Sequence, residues 1–402
     1  MYDLLEGIRV IEVASWTFVP AAGRVLAEWG ADVIKIENPA TGDPQRGLVN
    51  AVSNAGGVNP MTEVPNIGKR GVGLDIATVE GREILFEMVK KSDVFLTNYL
   101  PAIRTKLGID VADIQKINPK IVYARGTGQG RLGAEAERGG FDLASAWARG
   151  GIANLMTAPG EGNLPPFQPG SVGDLSAGIN LAGAIAAALV RRERTGKGAI
   201  VDTSLYNSGM WITGQAIAAA PLGKQAPQMT RETVFNPLVN FFPTKDGRAI
   251  CLVMLQADRW WPDLANHMGI SEMGTDPRYS TSAARLENRV EFVAMLDNVF
   301  RTKDLAEWRE ILMTTEGVWA PVLSPLEISQ DPQAIDNGYL PAVAIDDSHS
   351  YHAVASPSQF DEVLPHGLRR CPELGEHTDE VLAEFGYDWD KIIEMKVAGF
   401  IN

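Results

Sequence analysis

The sequence predicts an α/β protein, with a large domain built on a parallel sheet and a smaller α+β domain. In the first half, apolar strand-like runs alternate with helix-like segments, the rhythm of a sheet covered by helices. The strand-like runs are almost continuously apolar, as in parallel sheets buried on both faces. Around residues 221–237 the composition shifts to Gln, Pro, Met and Asn, which marks a linker to a differently organised region.

The alternating elements follow one another closely from the N-terminus. A loop of roughly thirty residues, rich in Asn, Gly and Pro, interrupts them after the second strand, and loops of this length are usually functional or mobile. Strands are predicted at residues 7–14, 32–37, 70–76, 94–97, 120–124 and 199–204, and helices at residues 21–29, 80–91 and 175–192.

The second half has another pattern. Two apolar runs flank Lys245-Asp246-Gly247, which predicts a hairpin, and helical stretches follow at residues 289–299 and 304–313. The tail mixes strand signals with a last amphipathic stretch at residues 378–385. We therefore expect a first part of the large domain at residues 1–220, a small domain with its linkers at 221–327, and a segment returning to the large domain at 328–402.

Composition narrows the class of protein. A net charge of −14 argues against nucleic-acid binding and against attraction to anionic membranes. Cys251 and Cys371 are far apart and form no metal-type spacing, which fits a reducing cytoplasm. The N-terminus shows no signal-peptide pattern. The apolar stretch 175–190 is short for a bilayer span of about 20 residues, so we expect a buried core helix.

In parallel sheets, ligands bind where the strands end. The residues that follow the predicted strands are therefore the first candidates for a binding site. They are Ser15 to Thr17, Asn38 and Pro39, Asn98 and Tyr99, and residues 125–130.

Asp174 is the strongest candidate for chemistry. It follows a loop rich in Pro and Gly and precedes the Ala-rich helix, so it is expected to be the N-cap. Capping and the helix dipole should keep it ionised near neutral pH. It is then either a structural cap or a carboxylate nucleophile. The small residues Ser176, Ala177 and Gly178 would let a bulky thioester approach.

Other polar segments allow two interpretations each. The loop G-T-G-Q-G at 126–130 either approaches a phosphate or oxyanion or is a flexible turn, and Asp142 in R-G-G-F-D is expected to be a helix cap. The five histidines form no triad or metal spacing. Six cations could form a phosphate site or be scattered surface charges: Lys35, Lys69, Arg70, Arg104, Lys106 and Arg125.

Several motifs together resemble the class III CoA-transferase family, which includes formyl-CoA transferase, carnitine CoA-transferase and α-methylacyl-CoA racemase. They run nearly end to end. The motifs are L-L-E-G-I-R-V-I-E-V-A at 4–14, G-A-D-V-I-K-I-E at 30–37, N-I-G-K-R-G-V-G-L-D at 66–75, S-D-V-F-L-T-N-Y at 92–99, V-G-D-L-S-A-G at 172–178, R-T-G-K-G at 194–198, D-P-R-Y at 276–279 and L-G-E-H-T at 374–378.

The resemblance implies a Rossmann-like large domain, a small domain and an interlocked homodimer in the cytoplasm. It implies a CoA-transferase that takes an acyl-CoA and a free carboxylic acid, without a permanently bound cofactor or a metal. The Asp of the family's G-D motif falls on Asp174. That residue would attack the donor thioester, form a mixed anhydride and then an aspartyl-CoA thioester.

Coenzyme A contacts are carried over from formyl-CoA transferase. Thr17 and Asn38 differ in residue type from that enzyme, and its glycine-rich gate loop is replaced by F-N-P-L-V-N at 235–240. A formyl and oxalyl substrate pair is therefore disfavoured. The implied contacts are Thr17, Asn38, Leu74, Asp75, Ala77, Asn98, Tyr99, Lys106, Gly140, Phe141 and Asp142.

The racemase branch is the main alternative within the family. It uses a proton-transfer His directly before the Asp that stands at position 142, and this chain has Phe141 there. Transfer is thus favoured over racemisation, and a non-catalytic CoA-binding relative is the third possibility. The segments around Phe141 and Asp174 look most like transferases for 2-hydroxy or aryl acids. Trp16, Phe141 and Trp147 would form an acyl pocket or simply pack in the core.

Overall fold

The computed structural model describes residues 1–48, 57–160, 162–227, 229–346 and 348–402. Two compact units are present. The first contains Met1–Leu155, Pro166–Gln225 and Pro332–Asn402, and the second contains Met156–Pro165 and Ala226–Asp331. The sequence placed its boundaries after residues 220 and 327, and it did not anticipate that the short stretch Met156–Pro165 leaves the first unit.

A six-stranded parallel sheet forms the centre of the first unit, in the order β3-β2-β1-β4-β5-β6. This is the order of doubly wound nucleotide-binding sheets, and it reverses between β1 and β4. The predicted α/β class with a parallel sheet is confirmed. The strands are β1 (Arg9–Val13), β2 (Asp32–Glu37), β3 (Arg70–Gly73), β4 (Val94–Thr97), β5 (Val122–Thr127) and β6 (Ala199–Ser204).

Helices cover both faces of this sheet, which explains the apolar character of the strands. The helices between residues 1 and 225 are α1 (Phe18–Glu28), α2 (Pro60–Asn66), α3 (Val79–Lys90), α4 (Pro101–Leu107), α5 (Val111–Ile117), α6 (Ile152–Met156), α7 (Val172–Thr195), α8 (Leu205–Ile212) and α9 (Gly214–Ala219), with a π-helical segment at Leu143–Arg149.

Helix α7 packs against α1 on one face of the sheet. It is long and apolar enough to cross a membrane by composition. One side of the helix, including Leu181 and Ile185, is nevertheless fully buried in the core beneath the sheet. Gly178 has no room for a Cβ atom, because the backbone of Phe18 and the methyl group of Ala21 lie directly opposite. Ala177 and Gly178 therefore serve helix packing, and the prediction that they admit a thioester was wrong.

The second unit is built on the antiparallel sheet β7-β8-β9, and its hairpin turns at Gly247 in the left-handed region, at φ +75°. Its core is aromatic, with Trp261, Phe292 and Trp308 fully buried. Its elements are β7 (Val239–Pro243), β8 (Ala249–Val253), α10 (Ala257–His267), α11 (Ser282–Glu287), α12 (Arg289–Phe300), α13 (Leu305–Leu312), β9 (Trp319–Pro321) and α14 (Pro325–Ile328).

The C-terminal segment belongs to the first unit. It forms a small three-stranded sheet and then places Val381, Leu382 and Ile392 in the core that also contains the strands of the parallel sheet. Its elements are α15 (Pro332–Asp336), β10 (Ala342–Ala344), β11 (Ser350–His352), β12 (Leu368–Arg369), α16 (Thr378–Glu384) and α17 (Trp389–Ala398).

Candidate active site

The carboxyl ends of β1 and β4 define the crevice where the strand order reverses. There the side-chain amide of Asn98 bonds both polar groups of the Ser15 backbone: Oδ1 accepts from Ser15 N at 3.1 Å and Nδ2 donates to Ser15 O at 2.6 Å. Two cavities of about 470 and 420 Å³ open on either side of this link. Both are lined by Trp16, Asn98, Tyr99 and Leu100.

The first cavity contains a single carboxylate among its lining residues, that of Asp174. Its remaining walls are mostly apolar or glycine, and Arg138 is the one cation among them. The lining consists of Trp16, Phe18, Asn98, Tyr99, Leu100, Pro101, Gly126, Thr127, Gly128, Ala136, Arg138, Gly139, Gly140, Phe141, Ala144, Asp174 and Leu205.

Asp174 is the third residue of α7, not its cap as the sequence predicted. The N-cap is Ser171, whose side chain makes no capping hydrogen bond. The helix starts earlier because residues 172–173 already have helical geometry despite the glycine. Asp174 thus lies in the first turn, where the helix dipole favours negative charge, but it does not accept the capping bonds that would hold it ionised.

The sequence also predicted that Asp174 stays ionised near neutral pH, but its surroundings act in the opposite direction. Burial, and after it the nearby charge of Asp142, together raise the pKa of Asp174 to about 7. A carboxyl group with this pKa exists in both protonation states at physiological pH. Strongly shifted groups in a cavity of this kind mark candidate functional sites.

Asp142 is buried beside the start of α7 rather than capping its own helix. Its Oδ2 accepts a hydrogen bond from Gly173 N at 3.2 Å, and no capping bond to the segment Leu143–Arg149 is made. Burial raises the pKa of Asp142 as well. Gly173 is required here because a Cβ atom would collide with Asp142 Oδ1 and the methyl group of Ala146. The G-D pair therefore lies against a second carboxylate.

The two glycine-rich loops pack directly on each other. A Cβ on Gly128 would lie 2.6 Å from Gly140 Cα, so these two backbones are in van der Waals contact. Gly139 and Gly140 line the first cavity, and among the described residues neither of their N–H groups has a hydrogen-bond partner. These amides are available to a ligand oxygen.

The second cavity continues from the crevice towards the end of β2. It is lined by Ser15, Trp16, Ile36, Glu37, Asn38, Thr41, Gly42, Asp43, Pro44, Asn98, Tyr99, Leu100 and Ile103. Asn38 Oδ1 accepts from Ala40 N at 2.9 Å and so shapes the loop after β2.

Half of the residues singled out by the resemblance line these cavities: Asp174, Asn38, Asn98, Tyr99, Gly140 and Phe141. The others do not. Thr17 is buried against Gln45, Leu74 is in the core, and Asp142 is behind the cavity wall. Asp75 and Ala77 follow β3 at the sheet's edge, and Lys106 is exposed on α4.

The six cations that could have formed a phosphate site do not form one cluster, and five of them are in ion pairs. Lys35 and Lys69 are fully buried and share Glu12, with Lys69 Nζ 2.7 Å from Glu12 Oε2. Burial lowers the pKa of Lys69 to about 8. Arg70, Arg104 and Arg125 pair with Asp32, Asp110 and Asp202 respectively. Within the described ranges, only Lys106 of the six is exposed without an ion pair.

Sequence reasoning did not identify several residues at this site. Leu100, Pro101, Ala136, Ala144 and Leu205 line the first cavity without any motif around them. The position of Leu100 directly after Tyr99 at the end of β4 was the one available signal. Trp147, offered as an acyl-pocket residue, is buried, and its Nε1 donates to Pro166 O at 2.9 Å.

Fold and site together define a doubly wound α/β protein with a half-buried carboxylate in the crevice at its switch point. The chain belongs to CoA-transferase family III, whose model matches residues 5–378, and it is an enzyme of that class. (R)-2-hydroxy-4-methylpentanoate CoA-transferase of Clostridioides difficile is 30% identical, over 98% of each chain. Cinnamoyl-CoA:phenyllactate CoA-transferase of Clostridium sporogenes is 31% identical, over 98% of this chain and 96% of its own.

A solved structure shows the same fold. The CAIB/BAIF family protein from Brucella suis superposes with a TM-score of 0.80 at 28% identity, covering 95% of this chain and 99% of its own. The predicted family is thereby confirmed.

Proposed function

We propose that this enzyme moves CoA from an acyl-CoA donor to a free carboxylic acid through covalent intermediates on Asp174. The observation that carries the proposal is the position of Asp174: a half-buried carboxylate at the N-terminus of α7, facing an apolar cavity at the switch point. Its raised pKa makes it a better nucleophile than an ordinary aspartate whenever it is ionised.

The steps balance without any further reagent. An Asp174 oxygen attacks the thioester carbon, the C–S bond breaks, and a mixed anhydride and a CoA thiolate result. The thiolate attacks the aspartyl carbonyl, which gives an aspartyl-CoA thioester and releases the donor acid. The acceptor carboxylate then attacks this thioester, and the thiolate takes the new acyl group from the second anhydride, which restores Asp174.

Each of these steps passes through a tetrahedral oxyanion. The unpaired N–H groups of Gly139 and Gly140 at the cavity wall are the donors we assign to it. Arg138 at the same cavity would attract the negatively charged acceptor acid, because its side chain is 71% exposed and, among the described residues, pairs only with Glu135, at 3.2 Å.

The cavity favours bulky apolar acyl groups. The ring of Trp16 meets the ring of Phe141 edge to face, with centroids 5.4 Å apart, and the two provide an aromatic wall. Two relatives are named for branched or aryl substrates, 2-hydroxy-4-methylpentanoate and phenyllactate. We infer that the acceptor is an aryl or branched acid, including 2-hydroxy acids, and that the second cavity holds part of the CoA chain.

Racemisation is the second candidate within the family, and the site does not favour it. Phe141 occupies the place of the proton-transfer His, and the residues lining the two cavities include no histidine. Deuterium incorporation at the α-carbon of a 2-methylacyl-CoA in the absence of an acceptor acid would support racemisation.

We also propose a homodimer that works in the cytoplasm. Helices α8 and α9 expose Trp211, with 87% of its surface accessible, together with Ile212 and Ile217. A cluster of large apolar side chains like this is unusual on a surface that remains in contact with solvent, and it is typical of a protein interface. The two thiols, Cys251 and Cys371, form no disulfide. Light scattering gives the oligomeric state, and a monomer at micromolar concentration would contradict the dimer.

Covalent trapping tests the proposal. The enzyme is mixed with cinnamoyl-CoA and phenyllactate, then treated with hydroxylamine, and the peptides are mapped by mass spectrometry. We expect a hydroxamate on Asp174 and loss of CoA transfer in Asp174→Asn. The matched control is Asp390→Asn, a first-turn aspartate of α17 that lines neither cavity, and it should transfer normally. Full activity of Asp174→Asn would refute the covalent role.

A further inference from the structure

Trp16 has an unusual backbone conformation. It follows β1 with φ at +69°, and the only other described residues besides glycine with positive φ are Asp361 and Glu362. A bulky side chain in this region is strained, so surrounding contacts must hold it there. Strain of this kind concentrates at functional sites.

Contacts on both sides of the peptide hold this conformation. Asn98 fixes the preceding residue through its two bonds to Ser15. On the other side, Asp43 Oδ1 accepts a hydrogen bond from Trp16 N at 3.1 Å and another from Gln45 N at 2.9 Å. Asp43 thus connects the strained residue to the loop after β2.

A buried cation anchors Asp43 in turn. Its Oδ2 lies 2.9 Å from Lys35 Nζ in an ion pair, and Lys35 Nζ also donates to Ala14 O at 2.8 Å. Both side chains are at most 1% exposed. Lys35 therefore ties together the backbone before Trp16 and the carboxylate that bonds Trp16 N. The same Nζ atom of Lys35 also lies 3.2 Å from Glu12 Oε1, so two carboxylates share its charge.

The ring that this arrangement orients reaches the substrate cavity. Trp16 lines both cavities, and its ring stands at 90° to that of Phe141. A change in the Trp16 backbone would turn the indole away from Phe141 and open the aromatic wall. The aromatic wall of the first cavity therefore depends on the carboxylate of Asp43, which lines only the second cavity.

We propose that Asp43 is a positioning residue that acts through Trp16. Held by Lys35, it keeps Trp16 in the left-handed conformation and so sets the preference of the cavity for aryl over short acyl groups. The inference rests on the proposed function, in that it places the acyl group in the first cavity.

A double-mutant cycle separates this role from a general structural one. The variants are Asp43→Asn, Trp16→Gly and the pair, in the full-length chain. Glycine tolerates the left-handed conformation, so Trp16→Gly removes the ring without the strain. The control is Glu28→Gln. Glu28 forms another buried ion pair of the first unit, with Arg24 at 2.7 Å, and it lines neither cavity.

The readout is the ratio of dissociation constants for cinnamoyl-CoA and acetyl-CoA, measured by calorimetry. Trp16→Gly should reduce the preference for cinnamoyl-CoA by up to about tenfold, the range expected for losing one aromatic contact. Asp43→Asn should reduce it in the same direction, and should add nothing in the Trp16→Gly background. Glu28→Gln should leave the ratio unchanged.

The proposal would be overturned if Asp43→Asn weakened the binding of cinnamoyl-CoA and acetyl-CoA equally. It would also be overturned if Asp43→Asn changed the ratio of dissociation constants as much in the Trp16→Gly background as in the unmodified protein. If Asp43→Asn does not fold, Asp43→Glu keeps the charge but displaces the carboxylate, and the same loss of preference is expected. Failure of the proposed function gives a different result, namely unaltered binding ratios in every variant together with no CoA transfer by the unmodified enzyme.

Discussion

Asp142 and Asp174 form a pair of carboxylates at the start of α7, in which the first accepts a bond from Gly173 N and the second faces the cavity. Burial raises the pKa of Asp174 to about 7, and the charge of Asp142 contributes to that rise. The same pair thus lies at the start of α7 and governs the protonation of Asp174, the residue that we propose as the nucleophile.

The pH dependence of catalysis should report this pair. If ionised Asp174 attacks the thioester, kcat/KM rises with pH through about 7 and is constant above it. Asp142→Asn removes the like charge, so the midpoint should move to lower pH, but only part of the way because burial is the larger cause. A midpoint that is unchanged in Asp142→Asn would show that the two carboxyl groups are not coupled.

Folding stability should depend on pH through the same group. The folded-state pKa of Asp174 is raised from 3.8 to about 7, so the folded protein binds the proton more tightly than the unfolded chain. Its stabilising contribution is fully present below about pH 4 and is lost as the pH rises through about 7.

Asp174→Asn should therefore become more stable relative to the unmodified protein as the pH rises. The difference in the free energy of unfolding between the variant and the unmodified protein should grow by at most about 4 kcal/mol between pH 4 and pH 8, because each unit of pKa shift corresponds to about 1.36 kcal/mol. Urea denaturation at several pH values measures it. A constant difference across this range would contradict the raised pKa.

Two glycines of α7 should respond in opposite ways to alanine. Gly173→Ala places a methyl group against Asp142 and Ala146, so we expect a loss of about 1–3 kcal/mol and impaired activity. Gly183 faces open space in the same helix, so Gly183→Ala should gain up to about 1 kcal/mol. Thermal melts of both variants provide the comparison, and a stabilised Gly173→Ala would show that the start of α7 is not tightly packed.

Alanine substitutions at the neighbouring residues Gly139 and Gly140 test the contact between the two glycine-rich loops. Gly140→Ala would collide with Gly128 and Ser145, whereas Gly139→Ala meets nothing within 4 Å. Both substitutions keep the backbone N–H groups proposed for the oxyanion. We expect Gly140→Ala to lower kcat by at least about tenfold, since displacing a stabilising donor is costly, and Gly139→Ala to have a small effect. Similar kcat values for the two variants would argue against a required loop position.

Much of the fold could be predicted because its signals are local. The apolar strands Asp32–Glu37, Val94–Thr97 and Ala199–Ser204 were predicted with the observed ends. The seven-residue helices α4 and α5 were missed, since so few residues give no clear periodicity. Residues 49–56, within the predicted long loop, lie outside the described residues, but α2 is part of that loop.

The site was harder to predict, because its electrostatics depend on residues distant in sequence. From the sequence, Lys35 and Lys69 were possible phosphate ligands, but in the structure both form ion pairs with Glu12 of another strand. Asp43 gave no signal at all, because its importance comes from contacts with Trp16 and Lys35. The raised pKa of Asp174 likewise results first from burial in the folded protein and then from the charge of Asp142, which lies on a separate loop.

Isotope transfer tests the central claim most directly. An acceptor acid labelled with ¹⁸O in its carboxylate is turned over with an acyl-CoA, and the peptides of the enzyme are examined by mass spectrometry. If the acceptor attacks an aspartyl-CoA thioester, one of its oxygen atoms remains on Asp174, and the label appears in the peptide that contains this residue. Complete turnover with no ¹⁸O in that peptide would contradict the covalent role of Asp174.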